Sequence, residues 1–333
     1  MEKRLKKQIN LQKLSPDSYT ASWHVDWTVG STLHGGCVAA IIHHAATTHL
    51  ATDPKLVAQK QPDILNLHVE YLRACERLDS TISVTILKTG GATSTLQLQL
   101  SQNDKIRVIA IATSTNFDRA LGPSVPTGWT PRPAPRPKPD FDRALAHKPD
   151  DNWIPVRVEG EVIPFTGHIL TLLPRAGHLV DGICDAWNGL TENEMMDATD
   201  IALMTDMVPS MSDTLMRNGA LYDSHEFWRK ALQWAEKNPG VPTVVTNTIA
   251  EGAKFSTFNS TVTLDMAFKR RLPKEGLRFI LTRTATKVFQ DGRMDIDVTL
   301  FNEDMEPICI ARQLILVLES RRKFKESKSE SKI

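Results

Sequence analysis

The sequence lacks the features that mark secreted, membrane-spanning and nucleic-acid-binding proteins. Its 333 residues carry a net charge of only +1, so no overall positive field points to nucleic acid. There is no secretory signal and no apolar run long enough to span a bilayer. The four cysteines lie far apart without a CxxC pair, which is typical of reduced core residues in an intracellular protein. These absences predict an intracellular enzyme or binding protein that does not insert into membranes.

Two common catalytic signatures are also missing. The chain contains no Gly-x-Ser-x-Gly motif, which argues against a serine hydrolase of the α/β class. His43, His44 and His49 share one predicted helix, but no two of them have the i,i+4 spacing of a helical zinc site and no carboxylate lies alongside. We therefore expect neither a metal nor a redox cofactor.

A proline-rich stretch divides the chain into two folded units. Seven prolines lie between positions 122 and 139, a composition that predicts an extended linker. With 41% hydrophobic residues, both flanking parts are able to bury a core. The predicted organisation is a basic, solvated tail over 1–19, a first unit over 20–120, the linker over 121–152, a second unit over 153–320 and a second basic tail over 321–333.

The first unit is predicted to be one helix wrapped by antiparallel strands. An apolar helix is expected over about 37–50. The hairpin turns Gly90-Gly91 and Asn103-Asp104 separate strand-like runs. The expected strands cover 20–29, 64–73, 80–88, 93–100 and 106–115. This order of elements indicates an α+β unit.

The second unit is predicted to repeat the first. Residues 108–113 and 308–313 match position for position after similar turns at 101–104 and 301–304. The second central helix is predicted to begin at Thr191, with Thr191 and Glu194 at capping-box spacing, and to end before Pro209. Two such repeats would form an intramolecular pseudo-dimer with a ligand cleft between them.

An insertion at 211–255 distinguishes the second repeat. It contains an amphipathic helix over 224–236, with Phe227, Leu232 and Trp234 on its partly apolar side. This helix is either a lid over the cleft or a patch that closes the sheet edge. We favour the patch, because amphipathic helices usually pack against a core.

Two local patterns suggest a reactive site. Asp206 stands in the apolar end of the second helix, where a buried carboxylate is costly unless it is hydrogen-bonded or functional. A helix cap is the competing interpretation, although the negative end of a helix disfavours a carboxylate. Gly35 and Gly36 would expose N–H groups at a helix start, where a carbonyl oxygen or an anion is held, unless they serve only close packing.

These motifs resemble the acyl-CoA thioesterase II family. His-Gly-Gly-Cys at 34–37 is similar to the glycine-rich helix entry of that family, and residues 68–73 to its first long strand. Asp206 stands where the family has its catalytic aspartate, and Thr263 and Gln313 match its catalytic threonine and glutamine. The resemblance implies a double hot-dog fold and one active site per chain.

The resemblance also implies a reaction, the hydrolysis of an acyl thioester to a free acid and CoA. Asp206 would act as the base on a water that Thr263 and Gln313 orient. The helix start at His34, Gly35 and Gly36 would receive the oxyanion. No cofactor is implied, because CoA is part of the substrate. Candidates for the CoA phosphates are Arg73, Lys269, Arg270 and Arg271, each of which is otherwise an ordinary surface charge.

Other interpretations remain open from the sequence. A hot-dog hydratase or dehydratase acting on a CoA- or carrier-bound acyl chain would need an essential histidine, for which His34 is the candidate. A non-catalytic acyl-thioester-binding protein would not depend on Asp206. The ending Ser331-Lys332-Ile333 is similar to the peroxisomal Ser-Lys-Leu signal, so the location is cytoplasmic or peroxisomal. A homo-oligomer is also open.

Overall fold

The structure is a computed structural model that describes residues 4–148, 150–220, 222–252 and 256–319. The predicted C-terminal tail and the signal-like tripeptide lie outside the described residues. No helix within those ranges is long and apolar enough to span a membrane.

The first repeat consists of a long helix and a curved run of strands. Its elements are α1 (Arg4–Ile9), β1 (Gln12–Ser15), β2 (Ser18–Ala21), β3 (Thr28–Val29), β4 (Thr32–Leu33), α2 (Gly35–Thr52), α3 (Pro54–Val57), β5 (Asp63–Tyr71), β6 (Ser80–Lys88), β7 (Ser94–Gln102) and β8 (Lys105–Thr115).

The second repeat has more elements and a shorter central helix. They are α4 (Phe141–Leu145), β9 (Trp153–Gly160), β10 (Ile169–Pro174), β11 (Ile183–Leu190), α5 (Ala198–Met204), α6 (Met211–Met216), α7 (Ser224–Lys237), β12 (Thr243–Asn247), α8 (Ile249–Gly252), β13 (Thr257–Phe268), β14 (Phe279–Ala285), β15 (Phe289–Gln290), β16 (Arg293–Phe301) and β17 (Pro307–Glu319).

The two repeats share one continuous sheet. Its path in the described residues is β1-β2-β6-β7-β8-β5-β13-β17-β16-β14-β11-β10-β9-β12, with β15 paired to β16. The seam is the antiparallel pair β5–β13, in which Glu70 lies opposite Thr263 and His68 opposite Asp265. A helix followed by antiparallel strands, present twice and joined edge to edge, confirms the predicted α+β pseudo-dimer.

The N-terminal segment corrects the prediction of a solvated tail over 1–19. Leu5 and Ile9 of α1 and Tyr19 of β2 are buried in the main core. Lys6 Nζ lies 2.7 Å from Asp197 Oδ2, which ties α1 to the second repeat. Leu5 and Ile9 are four residues apart, so they lie on one face of the helix and pack inward. The strand predicted over 20–29 is also wrong beyond Ala21, because a 3-10 turn at Val25–Trp27 interrupts it.

The second central helix corrects another prediction. It covers only Ala198–Met204, and its capping box is formed by Asp197 and Asp200 rather than by Thr191 and Glu194. The backbone N–H of Asp197 donates to Asp200 Oδ2 at 2.8 Å, and that of Thr199 donates to Asp197 Oδ1 at 2.8 Å. Thr191–Asn193 is a 3-10 turn in which Glu192 has φ 60°, a left-handed conformation that ends helical geometry.

The two central helices meet at a buried histidine. His43 of α2 is 2% exposed, and its Nδ1 lies 3.2 Å from Thr199 Oγ1 of α5. Burial lowers the pKa of His43 from 6.5 to about 3, so the ring is neutral in the folded protein. The unfolded chain binds this proton below pH 6.5. The free energy of unfolding must therefore fall as the pH drops from 6.5 towards 3.

Replacing His43 should reduce the loss of stability in acid. Between pH 7 and pH 5, the wild type should lose about 2 kcal/mol more unfolding free energy than His43→Gln, because glutamine does not titrate. Urea unfolding at both pH values measures this difference. Equal losses in the two proteins would show that His43 is protonated in the folded state as readily as in the unfolded chain.

The proline-rich linker packs on the outer face of the sheet in the second repeat. No helix or strand forms over residues 116–140. The Phe141 ring stacks on Phe279 at 4.4 Å, and the Trp153 indole N–H donates to the Pro137 carbonyl at 2.6 Å. The predicted linker is therefore extended only as far as residue 140 and continues into the helix α4, and it covers an apolar surface.

The insertion forms a patch at the far edge of the sheet. Strand β12 pairs in parallel with β9, and α7 packs Phe227, Ala231 and Leu232 against Ile154 and Val156. This arrangement agrees with the patch interpretation. Trp234 does not join the apolar side and is 39% exposed.

Candidate active site

A cavity of about 540 Å³ opens at the junction of the two repeats. His34, Gly35 and Tyr71 line it from the first repeat, and Asp206 and Gln313 line it from the second. It then extends between the sheet of the second repeat and the helices of the insertion. Both repeats are thus needed to build its entrance.

Asp206 lies at the start of α2, across the seam. It follows α5 by two residues, and its side chain is 11% exposed. Its Oδ2 lies 3.5 Å from His34 Nδ1, and a β-carbon added at Gly35 would lie only 2.8 Å from that oxygen. The positive end of α2 stabilises a carboxylate there. Gly35 and Gly36 therefore allow close packing, and they also leave the start of the helix open to a polar group.

Gln313 is held beside Asp206 by one defined hydrogen bond. Its side chain is buried, and its Nε2 donates to the carbonyl of Thr205 at 2.9 Å. Its Oε1 is buried without a hydrogen-bond partner among the described residues. A buried acceptor without a partner is costly, so this oxygen is suited to meet a water or a substrate group.

Thr263 does not reach the cavity, which corrects its predicted placement. A β-bulge lies between Thr261 and Thr263 in β13. Thr263 pairs with Leu314, which is 43% exposed on the outer face, whereas Thr261 pairs with the buried Ile315 and lines the cavity. A shift of one residue turns a strand side chain to the other face of the sheet. Of these two threonines of β13, Thr261 therefore lines the cavity and Thr263 does not.

Family comparisons agree with this architecture. Residues 23–117 match the model of the acyl-CoA thioesterase N-terminal domain, and residues 132–317 match the model of the C-terminal domain. The chain belongs to the acyl-CoA thioesterase family. It is a thioester hydrolase.

Individual relatives have low sequence identity to this thioesterase, but each matches nearly the whole length of the chain. The thioesterase-like protein TwmA of Talaromyces wortmannii is 24% identical, over 96% of this chain and 94% of TwmA. A hot-dog protein of Alicyclobacillus acidocaldarius has a TM-score of 0.67 at 15% identity, covering 95% of this chain and 98% of that one. The acyl-CoA thioesterase II TesB2 of Mycobacterium marinum has a TM-score of 0.58 at 13% identity, with the same coverage. These neighbours confirm the double hot-dog fold.

Tyr71 is a residue of the thioesterase site that the sequence did not single out. Its hydroxyl donates to the Gly35 carbonyl at 2.8 Å. Burial raises the pKa of Tyr71, and the charge of Asp206 raises it further, so the phenol stays protonated. The same two causes raise the pKa of the Cys37 thiol. Tyr71 lies within the strand predicted over 64–73 and is the last residue of β5. Aromatic residues are common in strands, so its sequence position did not indicate a role in the site.

The candidate oxyanion donors lie in the first turn of α2. N–H groups in the first turn of a helix have no acceptor within the helix. The Gly36 N–H donates to His34 Nδ1 at 3.2 Å. The Gly35 N–H is therefore the better candidate for a substrate oxygen in this thioesterase.

The four basic residues predicted as candidates for the CoA phosphates lie in different places in the structure. Arg73 lines the cavity, and its Nη1 donates to the Ile106 carbonyl at 2.9 Å. Arg271 is ion-paired with Asp63 at 2.6 Å, and Arg270 is ion-paired with Glu306. Lys269, Arg270 and Arg271 do not line the cavity. Arg73 alone of the four is placed to meet a substrate group there.

The two threonines of β13 permit a matched test of the site. Thr261→Val should lower kcat for thioester hydrolysis by about tenfold, because it removes from the cavity the hydroxyl that is proposed below to position the attacking water. Thr263→Val makes the same chemical change on the outer face and should leave kcat within about twofold of wild type. Steady-state kinetics on one acyl-CoA compares them. A larger loss in Thr263→Val would restore Thr263 to the site.

Proposed function

We propose that this thioesterase hydrolyses an acyl-CoA to the free acid and CoA with a water that Asp206 activates. The observation that carries the proposal is the Asp206 carboxylate at the start of α2, 3.5 Å from His34 Nδ1, in a cavity that both repeats form. Gln313, bonded to the residue that precedes Asp206, adds a buried acceptor beside it.

Each group has one role in the proposed step. Asp206 takes a proton from the water as its oxygen bonds to the thioester carbon. Gln313 Oε1 and the Thr261 hydroxyl hold the water. The Gly35 N–H receives the negative charge that develops on the carbonyl oxygen. When the intermediate collapses, the carbon–sulfur bond breaks, and the proton held by Asp206 passes to the departing CoA thiolate.

The CoA part of the substrate is proposed to lie at the entrance of the cavity. Arg73 is an exposed residue at the cavity wall. Its guanidinium keeps donors beyond the one bonded to Ile106, and these are suited to a phosphate. The acyl chain would then point inward, into the second repeat.

The rival hydratase interpretation depends on His34. Its Nδ1 accepts the Gly36 N–H at 3.2 Å, so that nitrogen serves as the helix cap. The group nearest the helix start is the Asp206 carboxylate, which suits a base acting on water. The geometry therefore favours hydrolysis over hydration of the acyl chain.

The test is CoA release from short, medium and long acyl-CoAs, followed by thiol titration and by mass spectrometry of the acid. The four cysteines are free and buried, and burial raises the pKa of Cys75, Cys184 and Cys309 to about 12. The native protein should therefore add little to the thiol signal. The proposal requires equal amounts of CoA and free acid. A hydrated acyl-CoA with its thioester intact would identify a hydratase, and binding without turnover would identify an acyl-binding protein.

A further inference from the structure

We infer that the inner part of the cavity selects acyl chains that carry hydroxyl or keto oxygens over plain alkyl chains. This inference rests on the proposed function, since it assigns the acyl group to that part of the cavity. It is carried by the polar groups on the cavity wall.

The inner cavity exists because the second central helix is short. In the first repeat, the 18-residue α2 packs on an inner sheet face that is apolar at Leu96, Leu98 and Leu100. In the second repeat, α5 has seven residues and leaves part of the inner face uncovered. Strands β10, β11 and β14 line the cavity there through Thr171, Asn188, Thr282 and Thr284. This part of the cavity wall therefore carries polar side chains where the matching face of the first repeat is apolar.

Three of these side chains form a hydrogen-bonded row across neighbouring strands. Thr171 Oγ1 donates to Asn188 Oδ1 at 2.9 Å, and Asn188 Nδ2 donates to Thr282 Oγ1 at 3.0 Å. Asn188 is thereby fixed in orientation. The Thr282 hydroxyl accepts this bond and donates to no other described residue, so its hydrogen remains available to a ligand.

Further polar groups line the same cavity. The Thr284 hydroxyl forms no hydrogen bond with the described residues, although Thr284 is only 1% exposed. His178 also lines the cavity and has a backbone hydrogen bond with Ser224. Burial, and then the neighbouring His225, lower the pKa of His178, so its ring is neutral and one ring nitrogen remains for a ligand.

The insertion places one more polar group beside them. Ser224, the first residue of α7, lines the cavity, and its Oγ lies 3.5 Å from Cys184 Sγ. Cys184 is paired with Thr284 across β11 and β14. The insertion thus completes a wall whose donors and acceptors extend along the path proposed for the acyl chain.

An alkyl chain would displace water from these polar groups and leave them without hydrogen-bond partners. A hydroxyl or keto oxygen on the chain would accept from Thr282 or Thr284. Sites built to hydrogen-bond a substrate oxygen discriminate strongly against the analogue that lacks it, because their own polar groups are left unpaired. Met207, Phe227 and Ile296 also line the cavity and would pack against the carbon skeleton.

The experiment compares pairs of acyl-CoAs of equal length, one with hydroxyl or oxo groups along the chain and one without. It also uses their non-hydrolysable thioether analogues in a binding assay. The wild type should prefer the oxygenated member by about tenfold or more in kcat/KM and in Kd. Thr282→Val and Thr284→Val should each reduce that preference by about threefold or more. Thr81→Val, an exposed residue of β6 in the first repeat, is the matched control and should leave the preference unchanged.

The outcomes separate the two proposals. Hydrolysis with equal or better turnover of the alkyl member would overturn the selectivity while the thioesterase reaction stands. No hydrolysis, together with tighter binding of the oxygenated thioether, would overturn the reaction while the selectivity stands. If Thr282→Val lowers the thermal stability, Thr284→Val decides, since its side chain has no hydrogen bond to lose. A preference that both valine variants retain would also overturn the inference.

Discussion

Asp206→Asn is expected to lower kcat for acyl-CoA hydrolysis by about a hundred- to ten-thousand-fold, because an amide cannot take a proton from the attacking water. The substitution is nearly isosteric, and the 11% exposed side chain would keep its place at the start of α2. The acyl and CoA contacts proposed above lie elsewhere in the cavity. KM should therefore change little, and steady-state kinetics would show the loss in kcat.

Asp265→Asn is the matched control for this prediction. Asp265 lies on the outer face of β13, where its Oδ1 lies 2.7 Å from His68 Nδ1 and its side chain is 51% exposed. It undergoes the same chemical change on the other side of the sheet, so kcat should stay within about twofold of wild type. If Asp206→Asn retained kcat as well as this control does, Asp206 would not be the base.

Gly35→Ala is expected to lower kcat by about a hundredfold, because displacing a reacting group by about 1 Å is enough for such a loss. A β-carbon at this position would lie 2.8 Å from Asp206 Oδ2 and 3.8 Å from the Tyr71 hydroxyl. Contacts below 3.0 Å force a movement, and the carboxylate is the nearest group. Alanine has a higher helix propensity than glycine, so the substitution should stabilise the helix itself.

Gly91→Ala supplies the comparison for Gly35→Ala. Gly91 lies in the turn between β6 and β7, and a β-carbon there would meet no atom within 4 Å. Its kcat should equal that of wild type. Circular dichroism would establish that both variants are folded. Full activity in folded Gly35→Ala would mean that Asp206 does not act from its position beside this glycine.

Much of the fold could be predicted from local pattern. Strand β6 was predicted without error, and the helix over 37–50 lies within α2. Strict alternation and clear turn residues made the strand predictable, and an apolar run made the helix predictable. Asp206 was found as a carboxylate in an apolar helix end, and Gln313 through the resemblance to the family's glutamine; both line the cavity.

Other features depend on contacts that a linear pattern does not contain. Thr261 and Thr263 are equivalent by composition, and only the bulge between them decides which one faces inward. Thr191 with Glu194 and Asp197 with Asp200 have the same capping spacing, and the left-handed Glu192 excludes the first pair.

The inner part of the cavity, within the second repeat, was the least predictable feature. It depends on how far α5 extends along the sheet, and a difference of a few turns decides whether the inner face is filled or open. Asn188 and Thr282 could not be predicted to lie side by side, because their common orientation is set by pairing between β11 and β14. Polar residues on adjacent strands become a signal only when the register is known.

The most direct test of the account is a single turnover of an acyl-CoA in water enriched in oxygen-18, with enzyme in excess. The product acid and the peptide that contains Asp206 are then analysed by mass spectrometry. If Asp206 activates a water that attacks the thioester carbon, the acid carries one labelled oxygen and Asp206 carries none. An unlabelled acid together with a labelled Asp206 would show that the carboxylate itself attacks the thioester, and would contradict the proposed mechanism.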